Sequence, residues 1–141
     1  MSFSASVGAW ASKSKKRITS VYRLSITYLG EELVRTKPQG GKVPFLTGNL
    51  ARSLLASTSE MPKTSDTASS GSNVGLVAAT IEPNQAVYIG YQAIYARRQN
   101  YGFVGADVLG RVYNQPGSYF VEGAIAKWPE IVDRAVKDTK G

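Results

Sequence analysis

GKVPFLTGNLARSLLAS (Gly41–Ser57) and VYIGYQAIYARRQNYG (Val87–Gly102) decide how this chain is read. The first is a loop marked by glycine and proline that runs into an amphipathic helix over about Gly48–Ala56. Thr47 is placed as its N-cap, where a hydroxyl accepts an otherwise unpaired backbone N–H. Leu50, Leu54 and Leu55 make its apolar face, and Leu46 before the cap packs weakly on Ala51. The second block is a strand, Ala86–Gly90, that turns into a short helix over Ala93–Tyr101, stopped by Gly102. That helix carries Arg97 and Arg98 among tyrosines. Neither block holds a His, a Cys or converging acids, so both are organised without any set of groups suited to acid–base or nucleophilic chemistry.

Working outward, the apolar spacing predicts one long basic helix over about residues 12–36, from Ser12 to about Thr36. Ile18, Val21, Tyr22, Leu29 and Leu33 share a stripe with Ile26 beside it. The stripe suits a core face better than a partner groove. Pro38, Gly40 and Gly41 end the helix. Ser57–Asn73 has no periodicity and reads as a mobile polar loop (about 57–73), either floppy or ordered by a neighbouring subunit. Val74–Ile81 and Ala86–Gly90 read as an antiparallel hairpin around Pro83-Asn84. The small residues Gly75, Ala78 and Ala79 leave room for close packing on one of its faces.

Phe103–Gly117 is glycine-rich. It is either a small hairpin of Val108–Leu109 with Arg111–Tyr113 around Gly110, or irregular chain, and Pro116-Gly117 marks a turn. From Ser118 a closing helix is predicted, with Ser118 as N-cap and Glu122 near the capping-box position. Phe120, Ala124, Ile125, Trp128, Ile131, Val132, Ala135 and Val136 keep helical spacing, and Pro129 demands a kink or two abutting helices. The expected fold class is α+β: a long N-terminal helix and a C-terminal helix packed on a small antiparallel sheet, in one domain over residues 1–141.

Composition narrows the chemistry. With 43% hydrophobic and 19% charged residues in 141, the chain belongs with globular domains of one core. It has no His and no Cys. Imidazole and thiolate metal ligands, the usual neutral-pH base and the usual thiol nucleophile are therefore excluded, as is a disulfide framework. No cofactor, no metal and no enzymatic activity are expected. No apolar run nears the roughly 20 residues that span a bilayer, and no secretory signal is seen, so synthesis in the cytoplasm and no membrane contact are expected.

The net charge of +7 is uneven. Residues 1–42 hold eight basic side chains against Glu31 and Glu32, while the remainder is nearly balanced. Lys13, Lys15, Lys16 and Arg17 form the densest cluster, fitted to nucleic acid, to an acidic partner, or simply to solvent.

Other constellations fail on spacing. Gly40-Gly41-Lys42 lacks the second glycine and helix start of a phosphate loop, and Gly102, Gly105 and Gly110 make no dinucleotide fingerprint. Glu31 and Glu32 are adjacent and diverge on a helix. Asp133 and Asp138 read as solvated partners of Arg134 and Lys137. Arg97, Arg98 and Tyr101 suit a protein interface, a nucleic-acid backbone, or solvent, while Ile94 and Tyr95 are expected to pack inward.

The order of pieces resembles a known family. A basic helix leads into P-x-x-T-G-x-L-x-x-S, on Pro44, Thr47, Gly48, Leu50 and Ser53. Then come V-x-I-G at Val87–Gly90, Y-A-x-x-x-x-x-G at Tyr95–Gly102, and a closing helix beginning Tyr119-Phe120. This pattern, spanning about Ser12 to Thr139, is similar to the neck or tail-completion proteins of tailed bacteriophages (head–tail connectors, minor tail components). That family commonly has an acid in the Tyr-Ala segment, where Arg97, Arg98, Gln99 and Asn100 stand here.

The resemblance implies a structural virion protein: a ring subunit of the neck, assembled in the host cytoplasm. Its partners would be further copies of itself, the connector or head-closure protein, the tail terminator or tail tube, and genomic DNA in the lumen without sequence specificity. Sixfold symmetry would match a tail and twelvefold a portal. Tail terminator and head-closure protein are alternatives within the same neck. Implied interface residues are Pro44, Phe45, Thr47, Leu50, Arg52, Tyr95, Arg97, Arg98 and Tyr101, with Lys13, Lys15, Lys16 and Arg17 toward the DNA channel or an acidic partner. A basic nucleic-acid-binding module is the alternative of another class.

Overall fold

In a computed structural model the chain is described over residues 2–45, 48–65, 71–106 and 109–139. Helix α1 spans Phe3–Val34, about 48 Å at 1.5 Å per residue. It begins well before the expected Ser12, because the Ser2 hydroxyl accepts the Ala5 N–H at 3.2 Å and caps it. It stops at Val34 rather than Thr36, because Thr36 bridges to Val43 and the Lys37 N–H donates to the Val43 carbonyl at 2.9 Å. A 3-10 turn, Lys37–Gln39, closes on Gly40 at φ 89° and reverses the chain there.

The expected helix over Gly48–Ala56 is a correction. Only α2, Asn49–Arg52, is helical, and Leu54–Ser57 form strand β1. The Ser53 hydroxyl donates to the Leu50 carbonyl at 2.7 Å and ends the turn. From there Leu54 and Ala56 are buried while Leu55 and Ser57 are less so, the two-residue period of a strand. The Thr47 cap and the Leu46 contact lie outside the described residues, as does the 66–70 part of the polar loop. The rest of that loop meets the body at Ser65, whose N–H donates to the Gln92 carbonyl at 2.7 Å.

The hairpin around Pro83-Asn84 is also corrected. Val74–Ala78 is a helix, α3, and strand β2 is Tyr88–Tyr91, whose antiparallel partner is β1, with Leu54 opposite Tyr91 and Ser57 opposite Tyr88. Asn73 is the reason. Its side chain accepts the Ala56 N–H at 2.7 Å and donates to the Ala56 carbonyl at 3.1 Å. The polar edge that a neighbouring strand would use is thereby occupied, and the chain is released into α3.

Helix α4, Ala96–Tyr101, runs into strand β3, Gly102–Ala106, which pairs antiparallel with β4, Val112–Pro116. This hairpin is longer than the expected pairing of Val108–Leu109 with Arg111–Tyr113, of which Val108 lies outside the described residues. Gly102 has φ 88°, and a Cβ there would stand 2.6 Å from the Gln115 carbonyl oxygen, so the helix-to-strand corner requires glycine. Helices α5, Phe120–Ala126, and α6, Trp128–Thr139, meet at Lys127, with Pro129 in the first turn of α6, so of the two outcomes expected from that proline the chain takes two abutting helices. Ser118 is not the cap: its N–H donates to the Gln99 carbonyl at 2.9 Å, and Tyr119 takes the cap position at φ 49°.

Among the described residues two apolar clusters form. Ile26 and Leu33 of α1 pack with Leu54, Ala56, Val74, Ala78, Ile81 and Ala124. Val43, Leu50, Ala93 and Phe120 make the second. Tyr91 packs against both, its ring 5.1 Å from that of Phe120 and edge-on to it. The long N-terminal helix, the C-terminal helices and small antiparallel sheets are thus those of an α+β chain.

The approach of α3 to α1 is set by Gly30, where a Cβ would lie 2.6 Å from Val74 Cγ1. Val74 is stiff and buried. Gly30→Ala is therefore expected to lower stability by about 1–3 kcal/mol. Val74→Ala in the same chain should cost less than it does alone, and a double-mutant cycle in urea reads that coupling.

Candidate functional site

The two quoted sequence blocks meet in space. β1 lies beside β2, and beyond them the Asn49 side-chain amide donates to the Tyr95 hydroxyl at 3.1 Å, joining α2 to the start of α4. Around this junction Phe45, Ile94, Tyr95, Arg97, Arg98 and Tyr101 are exposed. Exposure of Ile94 and Tyr95 corrects the expectation that they pack inward: α4 begins only at Ala96, and it is Ala93 that turns into the core. Leu50 is corrected in the other direction. At 3% exposed it belongs to the second cluster and offers no surface.

Pro44 is half-buried, Phe45 leans over Gly48 beside Arg52, and Thr47 lies outside the described residues. Between Met61, Ile94, Arg97, Tyr101 and Phe120 is an apolar pocket of about 320 Å³.

Asn100 anchors the junction and escaped the sequence reading. It is buried, and its amide donates to both carboxylate oxygens of Glu122 at 3.1 and 2.9 Å. Its carbonyl oxygen Oδ1 accepts the Val121 N–H at 3.0 Å, and its backbone carbonyl accepts the Tyr119 N–H at 2.9 Å. These bonds tie α4 to the start of α5 and hold Tyr119 in its left-handed conformation, with its ring edge-on to Tyr101 at 6.4 Å. Arg98 stacks on Phe103 at 4.0 Å, coupling α4 to the hairpin.

Burial pushes the Glu122 carboxyl up, but hydrogen bonds from Asn100, its own backbone and Tyr101 outweigh this and hold it below the ordinary carboxylate value. Glu122 thus reads as a structural acceptor rather than the capping-box member expected.

Lys13, Lys15, Lys16 and Arg17 are all exposed on α1. At about 100° per residue they encircle the helix rather than form one face. Arg17 stands at the edge of a groove between α1 and α6. The acids behave structurally: Glu32 pairs with Lys127 at 2.8 Å and Arg35 at 3.4 Å, and Asp138 pairs with Arg134 at 3.8 Å and accepts the Tyr28 hydroxyl. That hydrogen bond raises the Tyr28 pKa, and the hydroxyl stays a donor. Among the described residues no three of His, Cys, Asp and Glu converge on a metal-sized point. None of their helices is long and apolar enough to cross a membrane.

Comparison with protein-family models, with curated proteins and with solved structures found no match to this chain.

Asn100→Ala strands the Val121 N–H and the Glu122 carboxylate, and should cost about 2 kcal/mol in urea unfolding. Because the folded Glu122 pKa is depressed, its contribution is present above the ordinary value of 4.5 and is lost as pH falls below it. Stability measured against pH should lose that acid-side decline in Glu122→Gln.

Proposed function

We propose that this chain is a structural subunit of a tailed-phage virion. It would be a neck or tail-completion protein whose ring joins the head connector to the tail and surrounds the DNA channel. One observation carries the reading. Gly48–Ser53, the described part of the T-G-x-L-x-x-S block, and the Y-A-x-x-x-x-x-G block are far apart in sequence and are brought together by β1–β2 and the Asn49–Tyr95 bond. There Phe45, Ile94, Arg97, Arg98 and Tyr101 are exposed, and Arg and Tyr are types that dominate protein contacts.

A symmetric ring needs two unlike faces on each subunit. A second exposed apolar set, Val104, Leu109 and Val112 on or beside the β3–β4 hairpin, supplies a candidate for the other. In the neck, exposed Lys13, Lys15 and Lys16 would face DNA or an acidic neighbour. Tail terminator and head-closure protein share these features.

The reading of another class, a basic nucleic-acid module, is favoured only by the exposed cations of α1. It requires tight binding of short duplex DNA by the isolated chain, with affinity falling steeply in salt.

Particles carrying this subunit with a gold-binding tag should show the label at the head–tail junction in electron micrographs. Label on the capsid or tail tip, or normal joining of heads to tails without the subunit, contradicts the proposal. Arg97→Glu should leave the fold intact and lower the yield of joined particles, since its side chain is exposed.

A further inference from the structure

The apolar pocket beside Tyr91 opens into the body at the meeting of the two clusters. Its base is buried Leu33, Leu54 and Phe120, from α1, β1 and α5. Half-buried Ile89 and Tyr91 of β2 form one wall. Met61, on the segment between β1 and α3, forms another. A Cβ on Gly90 would stand 3.2 Å from the Met61 Cε, so the bare backbone there is what seats that side chain. These parts enclose about 320 Å³. An apolar cavity of about 150 Å³ already takes a benzene ring. Walls drawn from so many elements suit a compact ligand better than a helix or strand, which needs an elongated groove.

The hydrogen-bonding side chains deep in the pocket are already engaged. The Tyr91 hydroxyl donates to the Leu33 carbonyl. The Asn100 amide donates to both Glu122 oxygens, and its Oδ1 accepts the Val121 N–H. Whatever reaches the base must therefore be apolar, since a polar group there would leave water and find no partner. The rim differs. Arg97 is exposed and is the one charged side chain lining the pocket among the described residues. No ion pair or hydrogen bond among those residues occupies its guanidinium. The other charges nearby are placed elsewhere. Glu122 is held by Asn100 outside the lining, Glu60 and Lys63 line the neighbouring cleft with Ser57 and Asn73, and Arg98 is turned onto Phe103. One guanidinium above an apolar hole matches one negative charge on an apolar body. A phosphate dianion would call for a second cation.

We propose that this pocket binds a small apolar monocarboxylate, a medium-chain fatty acid or an arylalkanoate. Its hydrocarbon body lies against Leu33, Leu54 and Phe120, and its carboxylate pairs with Arg97. Met61, unbranched and adaptable, shapes itself to the body that enters. This is a binding function beyond the neck reading and does not rest on it.

The test titrates decanoate into the full chain by calorimetry, with backbone amide chemical shifts locating the contact. Wild type should bind with a Kd of about 0.1 mM, and the largest shifts should fall at Gly90, Ala93, Ala96 and Val121. Decanol, which keeps the body and lacks the charge, should bind about tenfold more weakly. Arg97→Ala should weaken decanoate about tenfold or more and leave decanol unchanged. Ala96→Leu, which fills the pocket from its lining, should weaken both about tenfold. Ile94→Glu, at an exposed rim position, replaces Ala96→Leu if circular dichroism shows that variant unfolded, and should weaken decanoate.

Three outcomes overturn the proposal: no binding of decanoate up to about 2 mM, an affinity indifferent to Arg97→Ala, or shifts centred away from the pocket. A pocket that takes no decanoate, yet whose Ala96→Leu variant lowers the yield of joined particles, is a seat for a partner's side chain and also overturns the ligand assignment. Decanoate bound as expected by a chain whose label is absent from the neck removes the phage reading and leaves this site.

Discussion

The Tyr91 hydroxyl donates to the Leu33 carbonyl at 2.5 Å, and the rest of the body is arranged around that bond. Leu33 lies in the last turn of α1, where carbonyls have no partner within the helix. Tyr91 sits at the end of β2 opposite Leu54 of β1, and its ring meets Phe120 at the head of α5. One side chain thus satisfies the end of the longest helix, closes the sheet and links the two apolar clusters. Burial raises its pKa well above the ordinary tyrosine value, so the hydroxyl stays protonated and remains a donor at any ordinary pH.

From that anchor the exposed parts follow. α1 is supported from about Val21 onward, where α3, α5 and α6 reach it. Its first turns extend beyond them. The β3–β4 hairpin hangs from the Gly102 corner and the Asn100 network. These projecting elements carry large apolar side chains in water, and the cost of that exposure is offset only when something covers them. The core is compact, and the projecting elements carry exposed apolar side chains.

Much of the architecture was legible in the sequence, and the failures have physical causes. An interruption of the closing helix near Pro129 and an end to α1 before Pro38 were visible because proline and glycine act locally, whereas the stop at Val34 itself depends on the distant Thr36–Val43 contact. Leu50, Leu54 and Leu55 satisfy a helical period, yet Leu54 and Ala56 also satisfy a strand period. Only the presence of β2 alongside decides between them. Val74–Ile81 is similarly ambiguous, and the deciding group, the Asn73 amide, acts on Ala56 far away in sequence. The start of α1 was missed because Phe3, Val7 and Trp10 are separated by Ser, Ala and Gly, although their spacing was there to be read. At the site, the exposure of Arg97, Arg98 and Tyr101 was foreseen. The burial of Leu50 and the anchoring by Asn100 depend on contacts between distant elements that no local pattern announces.

The central claim is that one hydrogen-bonded tyrosine couples both clusters into a single body, outside which the exposed apolar side chains lie. Urea unfolding of Tyr91→Phe, followed by circular dichroism and by tryptophan fluorescence, tests it directly. The account predicts a loss of about 1–3 kcal/mol from the unpaired Leu33 carbonyl, with both probes reporting one coincident transition. Unchanged stability, or two separate transitions in the wild-type chain, would contradict it.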